Sequence, residues 1–275
     1  MPELPETETI ARDLDRELRG RTIVSTTVRR VDVLREVSPA ELQARATGTS
    51  IVRCWRRAKL VVIDLSSDER IVVQPRFTGA LLLSHGRLPE REAPYSTLHF
   101  ALDDGRDLHY RDIRRLGTLA LMTAGRFAEY VEGLGVEPLD PAFTTEHLSG
   151  ILRGSRQAVK KVLMDQRLVV GIGNIYANEA CWRAGVDPSR AAREISHDEA
   201  AALHGAITSV LSESIAARGT SFRDYRDASG GKGDFERSLA AYGRGGEPCL
   251  RCSRRLVETH AIDGRTTVLC VQCQR

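Results

Sequence analysis

Apolar positions fall into two textures along the chain. Ile10, Leu14 and Leu18 recur at helical spacing, with Pro5 near the start and Gly20 to stop the run, so a helix is predicted from Glu6 to about Arg19. From Thr22 to about Met122 the apolar runs shorten to TIVSTTV, SIVRCW, LVVIDL, RIVVQ, ALLLS, STLHFAL, LHY and GTLALM. Turn-formers such as DDG and GRLPEREAP separate them. Many short strands without helices between them predict a β-sandwich or a barrel. After Ala124 the period turns helical, in GRFAEYVEGL, Thr145–Arg153, Arg156–Met164 and Asn174–Ala184. A longer helix should open at the capping box Ser196–Glu199 and run to about Ala217. The Pro-containing GVEPLDPAF reads as a linker, and the tail from Gly243 holds too little apolar material for a core of its own. The chain is thus expected to be an α+β multidomain protein. Its parts are a helix-plus-β domain over 2–130, a linker over 131–146, a helical domain over 147–240 and a cysteine-bearing module over 241–275.

Composition narrows the class only a little. No run of about 18 apolar residues exists, so no membrane span is expected. The start MPELPETETI lacks the basic and apolar regions of a signal peptide, and a cytoplasmic protein is expected. A net charge of +3 permits nucleic-acid binding without arguing for it. Its distribution says more. Seven basic residues face three acidic ones in Arg153–Arg190, and again in Arg237–Arg275, which suits either a polyanion-binding face or ordinary solvated surface. Only four of the forty basic residues are lysines (Lys59, Lys160, Lys161 and Lys232). Arginine serves bidentate phosphate contacts, whereas lysine alone can be tuned to exchange protons near neutral pH.

The tail carries the most specific local signal. Cys249-x-x-Cys252 and Cys270-x-x-Cys273 are separated by seventeen residues, enough for a β-hairpin between two thiolate pairs that share one tetrahedral ion. One zinc ion is expected, and four thiolates leave it no open position, so its role is structural. Disulfides are the weaker reading in a cytoplasmic chain. Cys54 and Cys181 have no such partner and are expected to be buried. Gly264-Arg265 reads as the hairpin turn, which places Arg265 at an exposed tip suited to a phosphate.

At the other end, Pro2 follows an initiator methionine that is normally removed before a small residue. That would leave a secondary amine with a pKa near 8, partly unprotonated at neutral pH. Such an amine can attack an electrophilic carbon such as C1′ of a sugar, leaving an iminium ion as electron sink. Glu3 and Glu6 lie close enough in sequence to move protons, although acidic residues also commonly decorate a first helical turn.

Several signatures coincide with a known family. MPELPETE, RRAKLVVIDL at 56–65, DIRRLG at 112–117, KKVLMDQRLVVGIGNIYANEA at 160–180, AAYGRGGEPC at 240–249 and the final cysteine hairpin resemble the formamidopyrimidine-DNA glycosylase family in order and spacing. The LPE start resembles the purine-lesion branch more than the endonuclease VIII branch. The resemblance implies an N-terminal helix plus β-sandwich domain, then a helical helix–two-turn–helix domain with a four-cysteine zinc-finger β-hairpin. Gly171 and Gly173 would permit the tight turn and Asn174 would cap the next helix. Pro2 is similar to the Schiff-base nucleophile, Glu3 to the acid that helps open the sugar ring, Glu6 to a supporting carboxylate and Lys59 to the lysine that assists strand cleavage. By the same resemblance Arg265, Lys160 and Asn174 would contact phosphates, and Arg114 would read the orphaned cytosine. The segment DASGGKGDF at 227–235 resembles the loop that covers the extruded base.

The departures from the family pattern concern the DNA-facing positions. Phe77 and Leu116 stand where Met and Phe usually fill the void left by the flipped base. Gln74 replaces a histidine, Tyr95-Ser-Thr97 a His-x-His, and Asp234 an aromatic residue. The wedges stay bulky and apolar, so base flipping should survive. The implied activity is base-excision repair of damaged double-stranded DNA by a monomer, as a glycosylase and AP lyase acting by β,δ-elimination on 8-oxoguanine and formamidopyrimidines. Alternatives are the same chemistry on oxidised pyrimidines or bulkier adducts, and a non-catalytic zinc-containing module that binds DNA damage.

Overall fold

A computed structural model describes residues 2–86, 88–221 and 226–275. The chain divides into two compact units, the first formed up to Gly133 together with Ala217–Glu236, the second by Leu134–Ala216 and Arg237–Arg275. No helix of the described residues is long and apolar enough to cross a membrane.

The first unit opens with α1 (Leu4–Leu18) and continues through β1 (Ile23–Val28), β2 (Leu34–Arg35), α2 (Pro39–Ala46), β3 (Ile51–Arg57), β4 (Leu60–Leu65), β5 (Glu69–Gln74), β6 (Gly79–His85), β7 (Ser96–Leu102), β8 (Arg106–Asp112), β9 (Thr118–Thr123) and α3 (Ala124–Val131). Two sheets result, ordered β1-β7-β8-β6 and β2-β9-β5-β4-β3, antiparallel apart from the short β2–β9 pair. Strand alternation explains the sandwich. Ile63, Ile71, Val73, Leu119 and Leu121 of one sheet and Leu81, Leu98, Phe100 and Leu108 of the other share a single core with Ile10, Leu14 and Leu18 of α1. Each such side chain contributes about 1.5–3 kcal/mol on burial. The alternate residues Leu60, Val62, Val72, Ala120 and Met122 pack instead with Phe127 of α3. The sandwich, rather than a barrel, is thus the form the β-rich half takes.

Helix α2 was not expected from the surrounding strand texture. Its capping box is nonetheless legible: the Ser38 amide donates to Glu41 Oε2 at 2.8 Å and the Glu41 amide to Ser38 Oγ at 3.2 Å.

The second unit contains α4 (Thr145–Arg153), α5 (Val159–Leu163), α6 (Asn174–Ala184), α7 (His197–Ala216) and the hairpin β10 (Val257–Thr259) with β11 (Thr267–Leu269). Helix α5 is shorter than the Arg156–Met164 expected, and α7 carries the expected Ser196/Glu199 capping box. Between α5 and α6, Gln166 organises the turns: its amide nitrogen donates to the Met164 and Ile172 carbonyls, and its oxygen accepts the Gly171 amide. Gly171 has φ 81°, where a side chain would be strained. The tail borrows its core, with Leu256 and Val268 packing against Trp182, Ala240 and Ala241.

One histidine pair, His109 buried and His99 half-buried, gives the first unit a pH dependence. His109 on β8 lies between the Ser84 and Ser96 hydroxyls, and its ring centroid is 5.1 Å from that of His99, opposite it on β7. Burial, and then the neighbouring His99, pull the His109 pKa down to about 4. An unfolded histidine titrates near 6.5, so between these values the unfolded chain binds a proton that the folded chain refuses. Stability is therefore kept above pH 6.5 and lost as the pH falls toward 4. Urea midpoints should decline from about pH 7 to about pH 5, a range above most carboxylate titrations. His109→Asn should flatten that decline, and an unchanged slope would place the titration elsewhere.

Candidate functional site

The start of α1 gathers the three N-terminal candidates. Glu3 is its N-cap, and Pro2, Glu3 and Glu6 are all buried. Glu6 uses both carboxylate oxygens on main-chain donors: Oε2 accepts the Glu3 amide at 2.8 Å and Oε1 the Thr220 amide at 2.8 Å. The helix dipole favours negative charge at this end. Met1, whose removal would expose the amine, lies outside the described residues.

Lys59 sits half-buried in the two-residue turn Ala58–Lys59 that joins β3 to β4. Arg56 ties this turn to α1. Its Nε meets Glu8 Oε2 at 2.8 Å and its Nη1 donates to the Ala58 carbonyl at 3.0 Å. Burial alone would raise the Glu8 carboxyl. The charges and hydrogen bonds of Arg56 and Arg12 outweigh it and hold Glu8 below the ordinary carboxylate range. Glu8 and Arg56 were not singled out in the sequence, because one is read as a first-turn acid and the other as a strand-end arginine.

Two turns at the ends of the sandwich strands carry the wedge candidates. Phe77 and Leu116 are both exposed, 44% and 41%, large apolar side chains left in solvent. The Arg114 guanidinium lies 4.9 Å from the Phe77 ring centroid. Gln74 accepts from its neighbour Arg76 at 2.9 Å, and Tyr95 is exposed in a short turn with the Arg111 guanidinium 6.0 Å from its ring. Thr97 is buried and donates to the Tyr110 carbonyl, so it belongs to the sheet interior.

In the second unit Lys160 and Asn174 converge on the chain just after Arg265. Lys160 is fully buried, its Nζ donating to the Thr266 carbonyl and to Thr267 Oγ1, each at 2.8 Å. Asn174 Nδ2 donates to the same carbonyl at 3.0 Å. The expectation that Asn174 caps α6 is corrected: Gly173 is the N-cap, and the Asn174 side chain turns to the hairpin instead. Asn178, not singled out in the sequence, fastens the hairpin further, its Oδ1 accepting the Val268 amide at 2.8 Å. Arg265 itself is exposed, just past Asp263 and Gly264, both at positive φ.

Glu179 is a further residue that sequence reasoning missed. Fully buried in α6, it accepts the amides of Ala240, Ala241 and Tyr242 at 2.8–2.9 Å, and burial still raises its pKa. It holds the chain at the point where the cysteine module begins. In that module the Sγ atoms of Cys249, Cys252, Cys270 and Cys273 all lie within 4.8 Å of one another. A tetrahedron of thiolates about 2.3 Å from a zinc ion has edges of about 3.8 Å, so the four fit one ion.

The segment 227–235 is anchored at its stem. Arg218 joins Asp13 of α1 at 2.5 Å to Asp227 at 2.6 Å, and Asp227 Oδ1 accepts the Ser229 and Gly231 amides. The Asp234 amide donates to the Ala217 carbonyl, and the Asp234 side chain is exposed.

Comparison with known proteins agrees with this arrangement. Residues 1–119 match the formamidopyrimidine-DNA glycosylase N-terminal domain and residues 134–226 the H2TH domain of the same family. A formamidopyrimidine-DNA glycosylase of Carboxydothermus hydrogenoformans is 41% identical over 277 residues, covering 100% of both chains. One of Moorella thermoacetica is 44% identical over 259 residues, 93% of each. Among solved structures, the MutM (Fpg) protein of Thermus thermophilus superposes with a TM-score of 0.88 at 35% identity, over 99% of this chain and 98% of that one. Lactococcus lactis Fpg in complex with DNA containing N7-benzyl-Fapy-dG gives 0.92 at 29% identity over the full length of both. With relatives this similar from end to end, and with the fold and the four-cysteine cluster in agreement, the chain belongs to the formamidopyrimidine-DNA glycosylase family.

Proposed function

We propose that this protein is a base-excision-repair enzyme for damaged duplex DNA. It removes oxidised purines such as 8-oxoguanine and formamidopyrimidines, then cuts the strand at the abasic site by β,δ-elimination. The observation that carries this reading is the buried Pro2–Glu3–Glu6 group at the head of α1, with the Lys59 turn tied to the same helix through Arg56 and Glu8. Pure binding would need none of these groups there.

In the proposed reaction the Pro2 nitrogen attacks C1′ of the damaged nucleotide. Glu3 supplies a proton as the sugar ring opens, the base leaves with its bonding electrons, and an iminium ion links protein and sugar. That cation acidifies the C2′ hydrogen, so its loss expels the 3′ phosphate, and a second elimination expels the 5′ phosphate. Lys59 assists these proton transfers. Water then hydrolyses the iminium and frees Pro2. Phe77 and Leu116 fill the void left by the flipped nucleotide, at a flipping cost of a few kcal/mol. Arg114 addresses the opposite base. Arg265 grips a phosphate beside the lesion, with Asn174 and Lys160 framing that contact. Cys249, Cys252, Cys270 and Cys273 would hold one zinc ion, which would supply no reaction chemistry and would fix the Arg265 hairpin.

A second reading keeps the chemistry and extends the substrates to oxidised pyrimidines or bulkier adducts. It is favoured by the exposed Phe77 and Tyr95 and by Asp234 in the lesion segment. One relative has also been solved with DNA carrying a benzylated formamidopyrimidine.

Borohydride should trap a covalent complex on 8-oxoguanine duplex, with peptide mapping placing the DNA on Pro2. An N-terminal tag should abolish trapping, and Glu3→Gln should slow excision by about a hundred-fold or more, the span of a lost general acid. DNA mapped to Lys59 with Pro2 free would refute the assignment. Removing zinc, or Cys270→Ser, should abolish DNA binding while the β-sandwich stays folded, because metal binding supplies folding free energy to a tail with little core. Full binding by metal-free protein would refute that role. Arg265→Ala should reduce the slope of log affinity against log salt by about one. An unchanged slope would take Arg265 out of the interface.

A further inference from the structure

The turns bearing Phe77 and Arg114 are bound to each other by a carboxylate that the family resemblance did not single out. Strand β6 begins at Gly79, two residues after Phe77. Strand β8 ends at Asp112, two residues before Arg114, and Gly79 pairs with Asp112 in the ladder. Asp112 is 1% exposed. Its Oδ1 accepts the Thr78 hydroxyl at 2.5 Å and the Arg114 amide at 3.2 Å, while Oδ2 accepts the Gly117 amide at 2.8 Å. Thr78, also buried, closes the circuit. Its hydroxyl gives its proton to Asp112 and accepts the Arg114 amide at 2.9 Å, and its carbonyl accepts from Arg111 at 3.0 Å. Phe77 is held at φ 46° and Arg115 at φ 52°, conformations a bulky side chain adopts only when its surroundings impose them. Gly117 admits no side chain, since a Cβ there would lie 2.0 Å from the Tyr110 hydroxyl and 2.7 Å from the Gln74 carbonyl.

The consequence falls on the Arg114 side chain. An exposed arginine samples many rotamers and is therefore a poor judge of which acceptor lies before it. Here its main chain is fixed by Asp112 and Thr78, and its guanidinium lies against the Phe77 ring. The Phe77 ring carries no nitrogen or oxygen acceptor, so contact with it leaves the guanidinium N–H donors available to a base. A planar fork of donors suits a base edge with two adjacent acceptors, as on cytosine. Adenine sets a donor against it.

We propose that Asp112 and Thr78 are positioning residues that hold Phe77 and Arg114 as one aromatic–guanidinium unit, and that this unit sets the preference for the base opposite the lesion. The inference rests on the glycosylase reading above, in which Arg114 addresses that base.

The test compares single-turnover excision of 8-oxoguanine paired with cytosine and with adenine. Arg114→Ala sets the ratio expected without a reader. Thr78→Val should lower the wild-type cytosine-over-adenine ratio toward that value, by about ten-fold for lost hydrogen bonds to a charged group, while Thr78→Ser should restore it. Asp112→Asn should follow Thr78→Val. Phe77→Leu keeps apolar bulk but loses the stack and should lower the ratio about three-fold. Borohydride trapping of the Thr78 and Asp112 variants on an abasic duplex verifies that the N-terminal chemistry persists. Thr78→Val with a wild-type ratio, beside a collapsed ratio in Arg114→Ala, would overturn the positioning role alone. Wild-type protein that is never trapped, or that shows no opposite-base preference, would overturn the glycosylase reading or the Arg114 assignment instead.

Discussion

Two buried main-chain amides, those of Glu3 and Thr220, share the carboxylate of Glu6, and the geometry of the N-terminal site depends on that sharing. A chain terminus ordinarily frays, because nothing precedes it to pack against. Here the first helical turn carries its own anchor. A buried amide left without an acceptor costs about 1–3 kcal/mol, and Glu6 accepts from two of them. The anchor also reaches a segment more than two hundred residues away in sequence, so Glu6 fastens the head of α1 to the start of the 217–236 segment. The Arg56 contacts extend the same frame to the Lys59 turn.

Elsewhere the protein repeats one device, a buried polar side chain whose partners are main-chain groups. Glu179 binds three consecutive amides, Asp112 binds two amides and a hydroxyl, and Lys160 with Asn174 converges on the Thr266 carbonyl. Such groups fix loops that have too little apolar surface to fix themselves. The cost is inflexibility, since each hub fails if one partner moves.

The parts of this architecture differed in how plainly they could be read from the chain. Strand limits such as Leu60–Leu65 and Ser96–Leu102 followed from short apolar runs bounded by turn-formers, and the four-cysteine cluster from spacing alone. Helix α2 was masked by its β-rich neighbours although Ser38 and Glu41 announce it. Asn174 looked like a helix cap because Asn favours that position, yet the hairpin carbonyl competed for its amide and won. The hubs were hidden for a different reason. Glu6 reaches Thr220, and Glu179 reaches Ala240, across separations that leave no periodic trace, and an acid in a helix looks the same whether solvated or buried. Nor does any local pattern announce that Ala217–Glu236 returns to the first unit.

The two cysteines outside the four-cysteine cluster complete the picture of the thiols. Cys54 and Cys181 are buried, and burial pushes the Cys181 thiol up to about 12 and that of Cys54 higher still. Both therefore stay protonated and shielded, poor targets for oxidants and alkylating agents. Reactivity of this kind is left to the four cysteines that the metal would occupy. Oxidants would thus reach the thiols of this protein chiefly in one small module, the one whose cysteines lie close enough to share a metal ion.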